Sequence, residues 1–187
     1  MKKDNRGFSL VELIVVIAIM AVMVGILVFS MSILTGAQAR ECAQKVSSQL
    51  DSTKTGSMSR YDETMELSYL EKDSIEEVNS DGFYTKSSVY SINKYAAGYE
   101  ITEPVYRKVG TSKVKVTVYL KDGSSYEIGK DAGNTITVGF NRASGAFNKA
   151  IVNGSATTTY FDYITFESGI KTYTIVMVPE TGKHTVQ

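Results

Sequence analysis

Residues 7–34 read GFSLVELIVVIAIMAVMVGILVFSMSIL, and the rest of the chain is interpreted outward from this segment. Residues 13–29 hold no charged or strongly polar side chain. As a helix rising 1.5 Å per residue they span roughly 26 Å. Extended across Ser30 and Ser32 to Leu34, the segment is long enough to cross a hydrocarbon core of about 30 Å. Upstream, MKKDNRG sets Lys2, Lys3 and Arg6 against a single Asp4. The positive-inside bias predicts that this end stays in the cytoplasm and that the chain beyond the apolar segment lies outside.

Two simple explanations leave something over. A secretory signal has an apolar stretch of about 7–15 residues and a small-x-small cleavage site. Ala37-Gln38-Ala39 offers such a site, but the stretch here is too long and Glu12 sits near its start. A plain membrane anchor accounts for length and charge bias, yet gives no reason for a carboxylate. A charge inside a membrane helix costs about 2.5–3.5 kcal/mol near the centre and less toward the interface. Glu12 therefore calls for a named partner.

Gly7-Phe8-Ser9-Leu10-Val11-Glu12-Leu13 resembles the start of type IV prepilins and type II secretion pseudopilins. The shared elements are a basic leader ending in Gly, a following Phe, Glu at the fifth position after the cut, and a long apolar helix. The resemblance implies cleavage by a membrane-embedded prepilin peptidase between Gly7 and Phe8, with Lys2, Lys3 and Arg6 as leader charges. It implies N-methylation of the new α-amine of Phe8. It also implies that this amine pairs with Glu12 of a neighbouring subunit, making Glu12 an assembly residue rather than a catalyst. Gly suits the cleavage position physically, because a backbone without a Cβ enters a narrow protease site without a side-chain clash. One departure from the family is the missing helix-breaking Pro: Gly25 and Phe29 occupy that region. Gly25 loosens a helix by about 1 kcal/mol relative to Ala.

Composition narrows the rest. The chain has 187 residues, with 20 Lys+Arg against 20 Asp+Glu and a formal net charge of zero. That balance gives no electrostatic support to nucleic acid as a partner. The single Cys excludes an intrachain disulfide, and the single His argues against a His-based catalytic or metal site. No nucleophile–base–orienter set can be assembled, so the expectation is a non-enzyme with no catalytic residue, cofactor or metal site.

Residues 35–58 read TGAQARECAQKVSSQLDSTKTGSM. Ala39, Ala43, Val46 and Leu50 recur at helical spacing and predict an amphipathic continuation of the helix. Cys42 beside this stripe reads as a small buried apolar residue. Gly36 is a candidate hinge, and Gly56 a candidate helix end. In the resembled family this half of the helix packs on a β-sheet, which is the expectation here.

Beyond residue 60 the period becomes 2. Met65, Leu67 and Tyr69 mark one strand, and Phe83 to Ile92 a second. KVKVTVYLK at 113–121 is the clearest: Val114, Val116, Val118 and Leu120 point one way, and Lys113, Lys115, Thr117, Tyr119 and Lys121 the other. Asp122-Gly123 signals a hairpin whose return uses Tyr126 and Ile128. Ile136, Val138 and Phe140 alternate next. Asn141 to Gly145 is turn-like and leads to Phe147, and Asn153-Gly154-Ser155 begins a polar loop. Tyr163 to Glu167 and Thr172 to Val178 close a hairpin around Ser168-Gly169. FNRASGAF at 140–147 and YTIVMVPETGK at 173–183 resemble head segments of pseudopilin-like proteins of Gram-positive bacteria.

Several motifs are decoys. Val178-Pro179-Glu180-Thr181-Gly182 resembles a sortase signal, but the KHTVQ that follows is too short to cross a membrane, so it reads as a turn. His184 reads as an exposed tail residue. The lysines at 113, 115 and 121 read as a solvated strand edge.

The expectation is an α+β chain: a long N-terminal helix, half transmembrane and half amphipathic, on a mostly antiparallel pilin-like head. Its divisions are a cleaved leader at 1–7, a transmembrane and assembly helix at 8–34, an amphipathic continuation at 35–58 and an extracytoplasmic β-rich head at 59–187. The implied role is a minor pilin or pseudopilin of a type IV pilus-like or type II secretion-like filament. The implied partners are copies of itself and other pilins, the prepilin peptidase, an inner-membrane platform protein, an assembly ATPase and, before assembly, the lipid bilayer. The implied location is the cell membrane, single-pass with a cytoplasmic N-terminus, then a surface filament. The alternative is a membrane-anchored or secreted β-domain that binds a ligand and never polymerises.

Overall fold

The computed structural model describes residues 10–59, 62–93, 98–101 and 104–187; for residues 26–35, 90–93 and 98–101 it describes the backbone alone. The chain is α+β. One helix, α1 (Leu10–Ser59), precedes the strands β1 (Asp62–Leu70), β2 (Gly82–Asn93), β3 (Gly98–Ile101), β4 (Val105–Thr111), β5 (Lys115–Leu120) and β6 (Ser125–Ile128). There follow β7 (Ile136–Phe140), β8 (Phe147–Val152), β9 (Ser155–Ala156), β10 (Phe161–Ser168), β11 (Lys171–Val178) and β12 (Lys183–Val186). The chain divides into two compact units, one ending at Leu34 and the other Thr35–Gln187.

In the second unit the strands form two antiparallel sheets rather than one. The first runs β3-β2-β1-β7-β8-β9, with β4 also pairing β2; the second runs β12-β11-β10-β5-β6. The predicted helical stripe is buried: Ala39, Cys42, Ala43, Val46 and Leu50 are all 0% exposed. They share one core cluster with Met65, Leu67, Phe83 and Val109 of the first sheet and Val116, Val118, Ile164 and Phe166 of the second. The stripe also continues past Leu50 through buried Thr53 and Ser57, keeping the alternating spacing of three and four.

The predicted glycine roles change. Gly36 lies within α1, and a Cβ there would come 2.8 Å from Lys171 Cγ. Close approach of a neighbour, not a hinge, explains the residue. Gly56 also lies inside the helix, which ends three residues later at Ser59.

β5 keeps its predicted alternation, with Val116, Val118 and Leu120 buried. It is not an edge, however, because β10 pairs one side and β6 the other. Two of the three lysines are partnered across the surface: Lys115 lies 3.1 Å from Glu127, and Lys121, just after β5, lies 3.5 Å from Glu180. The Asn153-Gly154 segment is a tight turn, with φ of 51° and 77°, joining β8 to β9. Positive φ at both central residues is what a two-residue hairpin of the Asn-Gly kind requires.

One further turn links the two sheets. Pro179 to Gly182 turns β11 into β12, with Gly182 N–H donating to Val178 O at 2.9 Å. Phe147 N–H donates to Pro179 O at 2.9 Å, tying the start of β8 to this turn.

Candidate assembly and processing segment

Of the sequence-predicted site residues, Lys2, Lys3, Arg6, Gly7 and Phe8 lie outside the described residues. Glu12 is described. It occupies the first turn of α1, where the partial positive charge of the helix N-terminus favours a carboxylate. Glu12 is solvent-exposed.

Around it the helix is apolar on every side. Twelve large apolar side chains between Leu10 and Val24 are exposed, from 48% at Val16 to 73% at Leu10. A helix that is apolar all round belongs in a membrane or inside a larger assembly, not in water. Burying a side chain of this kind is worth roughly 1.5–3 kcal/mol, so twelve supply on the order of 20 kcal/mol toward whatever covers them. Among the described residues no helix is long and apolar enough to cross a membrane. The predicted span at 13–34 draws on the side chains of 26–34, which lie outside the described set.

The second unit supplies no competing chemistry at the residues singled out from the sequence. Cys42 is fully buried, and burial pushes its thiol up to about 12. A thiol held protonated at neutral pH is a poor nucleophile. A Cβ at Gly110 would come 2.6 Å from the Cys42 sulfur, so the thiol fills space that a larger residue at 110 would take.

His184 departs from its predicted exposure, with its side chain only 2% exposed. Its Nε2 lies 3.0 Å from Ser47 O and 3.4 Å from Asp51 Oδ1. A carbonyl only accepts, so Nε2 carries the hydrogen. About two helical turns beyond Ser47, Lys54 Nζ donates to Thr181 O at 2.9 Å and to Gly182 O at 3.2 Å. Helix α1 thus fastens the last strand by a histidine and a lysine. Sequence reasoning missed both contacts. The available signal was β-strand parity, because β12 pairs His184 with Met177, whose side chain is in the core.

Compared with family models, residues 2–28 match the prokaryotic N-terminal methylation motif. No curated protein and no solved structure matches the chain. The matched segment contains Gly7, Phe8 and Glu12 together with the leader charges and all of the exposed apolar stretch from Leu10 to Val24. That N-terminal motif supports a type IV pilin-like prepilin.

Proposed function

We propose that the chain is a structural subunit, a minor pilin or pseudopilin, of a type IV pilus-like or type II secretion-like filament. It is made as a membrane-held precursor with its N-terminus in the cytoplasm, cut after Gly7, N-methylated on Phe8 and polymerised through its N-terminal helix. The supporting observation is the all-round exposure of apolar side chains from Leu10 to Val24 within a segment carrying the methylation motif. Such a surface has two stable environments, lipid before assembly and the helices of other subunits after it. Transfer between them needs little net hydrophobic free energy, because one apolar contact replaces another. Polar recognition must then set the register, and Glu12 supplies it by pairing with the α-amine of Phe8 on a neighbouring copy. Opposite charges attract strongly in a low-dielectric core, and removing one partner of a buried pair costs about 3–5 kcal/mol.

The role is structural, with a platform protein and an assembly ATPase as the machinery and the Thr35–Gln187 unit as the filament exterior. Mass spectrometry of the protein from its native cell tests the processing step. The expected N-terminus is N-methyl-Phe8. A terminus at Arg40 would instead indicate ordinary secretion, and intact Met1 a plain anchor, each compatible with a non-polymerising binding module. Glu12→Ala tests assembly. The expected variant is inserted and cleaved normally but is depleted at least tenfold from filaments; normal incorporation would refute the pairing.

A further inference from the structure

We infer that the tip of the β10–β11 hairpin is a bilayer-interface contact of the unassembled subunit, with Ile170 entering the boundary between headgroups and acyl chains. Ile170 is 82% exposed, more than any other large apolar side chain among the described residues. Turn chemistry does not call for it. β10 and β11 pair up to Ser168↔Lys171, leaving Gly169 and Ile170 as a two-residue loop. Gly169 has φ of 62°, which meets the demand of such a turn at its first central position. The second position is ordinarily polar, and nothing among the described residues covers Ile170.

The position of the tip gives this exposure its meaning. The Lys171 side chain lies on Gly36, with Cγ 2.8 Å from where a Cβ would stand. Gly36 follows Leu34, the last residue of the apolar segment, by two positions, which is about 3 Å along a helix. The tip therefore packs on the helix at Gly36, two residues along the chain from the last residue of the apolar segment. Ser168 Oγ donates to Lys113 O at 3.3 Å, which brings the turn between β4 and β5 to the same end. Lys113 and Lys171 are both exposed. Flanking lysines suit an interface, since their stems lie along apolar surface while the ammonium groups stay in water. The contact is assigned to the apolar side chain rather than to charge, because segment 71–81, joined to this end by the Lys130–Glu71 pair at 3.1 Å, is rich in acidic residues. The inference rests on the proposed membrane reading of the N-terminal helix.

The test uses the full chain reconstituted in phosphatidylcholine vesicles, which present an interface without net charge. An environment-sensitive dye is attached at Ile170→Cys. Cys42 is fully buried, and the wild-type chain treated in parallel serves as the blank. The same dye at Ala143→Cys, in the turn beside the far end of α1, is the comparison. At 170 the expected result is a blue-shifted emission that is quenched by nitroxide-labelled headgroups; at 143 emission stays water-like. Because the dye is itself apolar, a second measurement places it at Ser112→Cys, with and without Ile170→Asn. The expected result is a blue shift that is lost in the Asn background. Water-like emission at 170, an equal shift at 143, or a shift at 112 that ignores Ile170→Asn would overturn the inference. If the protein meanwhile resists alkaline carbonate extraction, the membrane reading stands without it. Release by carbonate would overturn both.

Discussion

At the scale of single residues, burial is decided by parity and by what a neighbour leaves open. His184 looks like a polar tail residue, yet its pairing with Met177 turns it inward onto Ser47 of the helix. Glu63 shows the second effect. A Cβ at Gly56 would overlap the Glu63 carboxylate, so the glycine leaves the space in which that group lies. Burial raises the Glu63 carboxyl above the ordinary carboxylate range. A raised value means that the folded chain holds the proton more tightly than the unfolded chain. The stabilising effect of this group is therefore fully present below about pH 4.3, the ordinary Glu value, and is lost as pH rises through the raised folded value. Above that raised value the ionised group is a net cost. The group is only partly buried, so solvent screening keeps the effect below about 1 kcal/mol. Glu63→Gln is expected to raise the urea midpoint at pH 7, with the gain shrinking as unfolding is measured toward pH 4. A gain that is constant with pH would show that the amide acts by packing instead.

At the scale of elements, legibility follows the regularity of the repeat. The helix stripe from Ala39 to Leu50 and the alternation of β5 were readable because each residue obeys one period. β8 was not readable, since Gly139 pairs Lys149 while Phe140 pairs Phe147, a register shift that leaves Asn148 as an extra residue. Its buried residues are consequently Phe147, Ala150 and Val152, which breaks the period of 2. β4 is similarly disrupted: Phe83 pairs Gly110 and Tyr84 pairs Lys108, skipping Val109. β9 and β12 have only 2 and 4 residues, too few for any period to declare itself. That two sheets form rather than one was also illegible, because every strand pairs antiparallel and pairing order is not written in local pattern. The stripe itself yields a prediction. Thr53 is 0% exposed, and its hydroxyl oxygen has no hydrogen-bond partner among the described residues. Thr and Val have similar helix propensity and shape. Thr53→Val removes the cost of an unsatisfied buried hydroxyl and is expected to stabilise the second unit by about 1 kcal/mol. Chemical denaturation checks this, and a loss of stability would show that the hydroxyl is satisfied in solution.

At the scale of the whole molecule, the division at Leu34 and Thr35 separates two kinds of free energy. The exposed apolar surface from Leu10 to Val24 gains nothing until something outside the subunit covers it. The Thr35–Gln187 unit has its own core, from Ala39 on the helix to Met177 in β11. Substitutions in the two units should therefore have separable consequences, since effects at distant sites without shared partners add to within about 0.5 kcal/mol. Met23→Lys puts a charge into the apolar segment at a cost of about 2.5–3.5 kcal/mol in lipid. The expected result is reduced recovery in the carbonate-resistant membrane fraction, with the detergent-solubilised protein unfolding at an unchanged denaturant midpoint. Ile164→Ala should do the reverse. Ile164 is 0% exposed and lies between β5 and β11, so truncation leaves a cavity and costs about 2–5 kcal/mol. Membrane recovery of that variant should match wild type as long as the precursor escapes proteolysis. If Met23→Lys also shifts the unfolding midpoint by more than the additivity limit, the apolar segment contributes to the stability of the second unit, and subunit folding would then be coupled to membrane insertion and assembly rather than completed before them.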